Sequence, residues 1–175
     1  MQRSDKISGI NLLKNIQRNH ALEHASIHIL NRRFPHHRFM GRSDSNGFFL
    51  VTKLPLEETS EGILTALERL QAGNSRLAVH PNCGTNLMTG AFLAALSGML
   101  IFNSRRCENE DFDPLNRFPL AILASMASMI VARPLGNLLQ KEFTTNTDLD
   151  ETSIRSITAR PYGRFVLYRV LTQHV

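Results

Sequence analysis

The apolar positions fall into short periodic stretches on either side of two long unbroken runs. Over residues 8–33, Ile10, Leu13, Ile16, Ala21, Leu22, Ala25 and Ile29 keep roughly the spacing of one helical face. Pro35 marks the end of that helix. Residues 38–41 and 47–53 read as two strands around the turn-rich Ser43-Asp-Ser-Asn-Gly47. Pro55, Glu57 and Glu58 open a second helix. Ile63, Leu64, Ala66, Leu67 and Leu70 are its expected apolar face, and Gly73-Asn74 closes it. A short strand is expected over 76–80, ending at Pro81. After a polar linker at 144–152, residues 153–158 and 164–172 predict a hairpin across Arg160-Pro-Tyr-Gly163.

The first long run, Gly84 to Asn103, has no charge, and its apolar part, Leu87 to Phe102, has no polar face. As a helix its 20 residues span about 30 Å, the thickness of a bilayer's hydrocarbon core. A buried helix of a soluble protein usually keeps a polar stripe, and this one has none. Gly90, Ala94 and Gly98 recur four apart, the close-approach pattern of membrane helices. The same three residues are therefore a candidate homo-oligomer contact. Arg105 and Arg106 follow as interfacial anchors. The second run, 118–140, is interrupted by Arg133 and by Pro134, which would kink it. A polar loop from 104 to 117 lets the two helices return antiparallel. The expected architecture is α+β: a domain made of 1–82 and 144–175, interrupted by a transmembrane helical hairpin at 83–140. The order within it is helix, two strands, helix, strand, membrane hairpin, two strands.

Charge refines this picture. Lys and Arg number 20 against 15 Asp and Glu. Eight basic and two acidic residues (Asp5 and Glu23) fall in residues 1–42, so the surplus lies in the first segment. No zinc finger, aromatic-basic RNA motif or DNA-reading helix accompanies it, which favours an anionic lipid surface over nucleic acid. Positive residues flank the hairpin almost evenly on both sides, so they do not orient it. With no cleavable signal in view, the expectation is an inner-membrane protein with both termini in the cytoplasm. The two cysteines, Cys83 and Cys107, are expected not to pair, because a spanning helix would hold them about 30 Å apart.

The candidate chemistry lies in the first helix. His20-Ala-Leu-Glu23-His24 sets two imidazoles one turn apart, able to hold one divalent metal. Glu23 beside them could polarise a metal-bound water, and His28 extends the row by a turn. Tetrahedral zinc needs a further protein ligand, and His80 or Cys83, in His80-Pro-Asn-Cys-Gly-Thr-Asn86, is the candidate. The competing reading is an amphipathic helix with interfacial histidines, followed by a strand-to-helix turn holding a small buried cysteine. Nucleotide-binding glycine loops and nucleophile motifs are absent.

Two resemblances follow from these motifs. Asn19-His-Ala-Leu-Glu-His-Ala-Ser-Ile-His28, Gly41-Arg-Ser-Asp44 with Gly47-Phe48, Leu67-Glu-Arg-Leu-Gln-Ala-Gly73, Leu77-Ala-Val-His-Pro-Asn-Cys-Gly-Thr-Asn86 and Arg133-Pro-Leu-Gly136 together resemble an uncharacterised bacterial family, a domain of unknown function with two predicted membrane spans. The likeness runs from about Asn15 to Thr145 and implies a membrane location, with no activity. More locally, His20-x-x-Glu23-His24 is similar to the start of the pitrilysin-type inverted-motif zinc peptidases. That resemblance implies His20 and His24 as zinc ligands and Glu23 as the base. The later helical glutamate ligand of those enzymes has no counterpart, so His80 or Cys83 would replace it. The two functional expectations are a membrane-tethered metal-dependent hydrolase, and a non-catalytic membrane protein whose α+β domain serves regulation, assembly or partner binding.

Overall fold

The computed structural model describes residues 2–103 and 114–174, with side chains for 11–103 and 115–174. Arg105, Arg106, Cys107 and most of the expected polar loop lie outside the described residues. So does the side chain of Ile10. The chain divides into two compact units, one ending at His80 and resuming at Lys141, the other running from Pro81 to Gln140.

The first unit is α+β. Its helices are α1 (Gln2–Arg33) and α2 (Leu56–Gln71), and its strands are β1 (Met40–Asp44), β2 (Gly47–Thr52), β3 (Thr152–Tyr162) and β4 (Phe165–His174). The strands form one antiparallel sheet in the order β1-β2-β4-β3. Phe48 pairs with Val170 and Leu50 with Tyr168, so the alternation of β2 and β4 sends these four side chains to the same buried face. Ala21, Leu22, Ala25 and Leu30 of α1, and Ile63, Ala66 and Leu70 of α2, join them in one core. The Tyr168 hydroxyl donates to the Leu54 carbonyl at 2.6 Å, which satisfies the one polar atom that this ring buries.

Several expected boundaries shift. Helix α1 begins earlier than residue 8, and the first buried residue among its described side chains is Asn19; Leu13 stays 61% exposed. Leu64 is exposed, because the buried positions of α2 are 59, 62, 63, 66, 67 and 70, a set that position 64 cannot share at 3.6 residues per turn. The segment expected as a strand at 76–80 begins as a 3₁₀ turn, Ser75–Ala78. Glycine explains this entry: Gly73 takes φ +84°, and its carbonyl accepts from the Ser75 N–H. The last hairpin is longer than expected. Tyr162 pairs with Phe165 across Gly163 and Arg164, which places Arg160 and Pro161 inside β3.

The second unit is a pair of helices, α3 (Gly84–Asn103) and α4 (Pro114–Leu139), and a π-helical turn, Gln140–Thr144, carries the chain out of it. Both helices are long and apolar enough to cross a membrane. They run antiparallel. Gly90 faces Ala132, Gly98 faces Ser125, and the Ser125 hydroxyl donates to the Ala94 carbonyl at 3.1 Å. The row Gly90, Ala94 and Gly98 thus lies against α4. Large apolar side chains elsewhere on the pair are bare: Leu87 is 71% exposed, Phe92 67% and Ile130 75%.

Candidate metal centre

The histidines are placed by one face of α1. His20 and His24 stack one turn apart, ring centroids 4.2 Å from each other. His80 comes up from the segment after the 3₁₀ turn, with its ring 5.8 Å from that of His24 and 4.7 Å from that of His28. Four imidazoles of the first unit therefore form a continuous chain in space, from His20 to His24, His80 and His28. Spacing along α1 foretold three of them, and His80 joins because residues 75–80 lie along α1.

Each helix histidine is oriented by a backbone carbonyl from a distant part of the chain. His20 Nδ1 lies 3.0 Å from the Thr144 carbonyl oxygen, and His24 Nδ1 lies 2.6 Å from that of Ala78. A carbonyl only accepts, so in both rings Nδ1 carries the proton and donates. An Nδ1–H donated to a carbonyl is the hydrogen bond that ligating histidines ordinarily make, and it leaves Nε2 as the ring position for a metal. His28 is set the other way, its Nε2–H donating to the Val79 carbonyl at 2.8 Å. Burial, and then the adjoining His28 and His24, lower the His80 pKa to about 4, so His80 is neutral near pH 7 and able to ligate.

Glu23 takes a different direction. It is 5% exposed, and the Ser43 hydroxyl of β1 donates to its Oε2. Gly41 packs directly on the same side chain, leaving no space for a Cβ. Gly41 and Ser43 stood in the sequence within the Gly41-Arg-Ser-Asp44 motif of the family resemblance, but nothing there tied them to Glu23. Cys83 is buried, and the Thr85 N–H points to its sulfur at 3.4 Å. Within the first unit, the donors brought together are the imidazoles of His20 and His24, with that of His80 beside them. Imidazole nitrogens are donors suited to zinc.

An α+β chain with two long apolar helices and a histidine-lined helix face defines a class of small protein with a candidate metal centre. The chain belongs to the family described as Domain of unknown function (DUF6391), which it matches over residues 15–157. It is 30% identical over 156 residues to an uncharacterized protein of Picosynechococcus sp. (strain ATCC 27264 / PCC 7002 / PR-6), covering 83% of this chain and 73% of that one. No solved structure matches the chain.

Proposed function

We propose that this is a membrane-anchored protein that binds one divalent metal ion, most simply zinc, through His20 and His24, with His80 or Cys83 as the further ligand. The observation that carries the reading is the orientation of His20 and His24, whose Nδ1–H groups are directed at the Thr144 and Ala78 carbonyls, the hydrogen bond that ligating histidines ordinarily make. His80 stands next to this group as a neutral imidazole. Helices α3 and α4 serve as the anchor, since their bare apolar side chains would be costly in water and are at home in lipid.

The hydrolase reading assigns Glu23 as the base that activates a metal-bound water. Three protein ligands would leave the fourth position such a water occupies. The engagement of Glu23 by Ser43 and Gly41 favours a structural role for that carboxylate, tying α1 to β1, and so favours metal binding without hydrolysis.

One preparation tests both halves. Membranes from cells producing the full chain are washed with alkaline carbonate and dissolved in detergent, and the purified protein is assayed for metal. The expected result is retention in the washed membranes and about one metal per chain, falling to near zero in His20→Ala and His24→Ala, with Glu23→Gln unaffected. Release of the protein by carbonate would overturn the anchor. A metal-free wild type, or full metal in His24→Ala, would overturn the site.

A further inference from the structure

The second unit carries a cavity of about 460 Å³ at one end of the helix pair, between the start of α3 and the last turns of α4. Its wall is mixed: Leu87 and Met129 contribute apolar side chains, and Asn86, Arg133 and Asn137 polar ones. Arg133 has no hydrogen-bond or ion-pair partner among the described residues, and no carboxylate lines the cavity. Asn137 lies one turn beyond Arg133, so both side chains leave α4 on the same face.

The amides at the site are already fixed. Asn86 Nδ2 donates to the Pro81 carbonyl at 2.8 Å and to Asn137 Oδ1 at 2.9 Å. With its oxygen used as acceptor, Asn137 keeps its own NH₂ group as a donor. Gly136 makes this possible, because Asn86 packs where a Cβ at 136 would stand. The outcome is a guanidinium and an amide donor side by side at the mouth of a partly apolar cavity. A cation at the end of a 15-residue charge-free stretch of α4, from Phe118 to Ala132, calls for an anion.

Resting on the membrane reading above, we propose that this cavity binds one anionic glycerophospholipid. Its phosphate sits on Arg133 and Asn137, and one acyl chain lies over Leu87 and Met129. Charge complementarity selects the headgroup, since a lone arginine with no carboxylate beside it favours a lipid of net negative charge over a zwitterionic one. The guanidinium supplies the forked donor geometry that phosphate accepts. The apolar wall distinguishes a lipid from free phosphate, which would leave Leu87 and Met129 without a partner.

The test uses the full chain in a neutral detergent, with bound lipid counted by native mass spectrometry. Phosphatidylglycerol and phosphatidylcholine are added separately at equal concentration. The wild type is expected to keep one phosphatidylglycerol, with apparent affinity about tenfold above that for phosphatidylcholine, and Arg133→Gln to lose that preference. Arg133→Lys retains the charge and should keep part of it, which separates loss of binding from loss of folding. Arg117→Gln alters a side chain that donates to the Ile101 and Phe102 carbonyls at the opposite end of the pair, and should leave binding unchanged. Inorganic phosphate at the same concentration should not compete; full competition would show a phosphate site and overturn the lipid. Equal binding of the two lipids by the wild type, or an unchanged preference in Arg133→Gln, would also overturn the proposal. Carbonate extraction keeps the two readings apart: a chain that resists carbonate yet shows no headgroup preference leaves the anchor standing and removes only this site.

Discussion

Glu23 diverges from the two histidines of its motif for reasons of helix geometry. At about 100° per residue, His20 and His24 differ by about 40° around α1, whereas Glu23 lies about 60° from His20 on the side away from His24. The carboxylate therefore reaches β1, where Ser43 and Gly41 receive it. A methyl group added at Gly41 would meet Oε1, Cδ and Cγ of Glu23, and a side chain that is 5% exposed has little room to retreat. Gly41→Ala is expected to lower stability by about 1–3 kcal/mol, the usual range for overpacking. Urea unfolding would show this as a lower midpoint at unchanged slope, and a wild-type midpoint would mean that Glu23 is free to move. At this scale the histidine row was legible because spacing alone places positions 20, 24 and 28 together. The groups that orient the row were not legible: the carbonyls of Thr144, Ala78 and Val79 are backbone atoms from other segments, and no side chain announces them.

Among the elements, α2 gives the sharpest contrast between pattern and outcome. Leu64 is as apolar as its neighbours and follows Ile63 directly, so composition favours burying both. Rotation by about 100° separates them: Ile63 is fully buried and Leu64 is 49% exposed. Ile63→Ala is expected to cost about 2–5 kcal/mol and Leu64→Ser to stay within about 0.5 kcal/mol. Denaturant unfolding of the two variants checks this, and comparable losses would mean that the opposite face of α2 is also covered. The helices and hairpins were legible because their periods, caps and turn residues are local. The segment after α2 was misread as a strand because Leu77 and Val79 suit one, yet a strand needs a ladder partner. Here the carbonyls of Ala78 and Val79 accept from His24 and His28, and the sheet has β1 and β3 at its edges.

Across the first unit, the strand order β1-β2-β4-β3 was not legible, because the pairing of β2 with β4 joins residues more than a hundred positions apart. That pairing brings the end of β4 beside α1 and β3, where His174 is held. Its Nδ1 lies 3.0 Å from the Thr152 hydroxyl, and its Nε2 lies 3.1 Å from Asn19 Oδ1 and 3.3 Å from the Thr172 hydroxyl. Burial, and secondarily the positive charge of Arg18, lower its pKa below the usual 6.5. Arg18 is itself paired with Asp148 at 3.2 Å, which keeps it in place. A histidine whose folded pKa is depressed binds its proton more readily in the unfolded chain. Its contribution to stability is therefore complete above about pH 6.5 and lost as pH falls toward the folded value. Asp44 acts in the same direction at lower pH. Burial works to raise its pKa, but the Arg169 hydrogen bond and charge, with the Asn46 and Gly47 N–H groups, lower it overall. The Arg169 guanidinium approaches both carboxylate oxygens at 2.9 Å. That contribution is present above about pH 3.9 and lost below it. Metal-free protein should thus melt at progressively lower temperature from pH 7 to pH 5, and fall further as Asp44 takes its proton. His174→Gln, which cannot titrate, should show a shallower decline between pH 6.5 and 5 than the wild type in the same buffers. Equal slopes in the two proteins would remove His174 from the acid response.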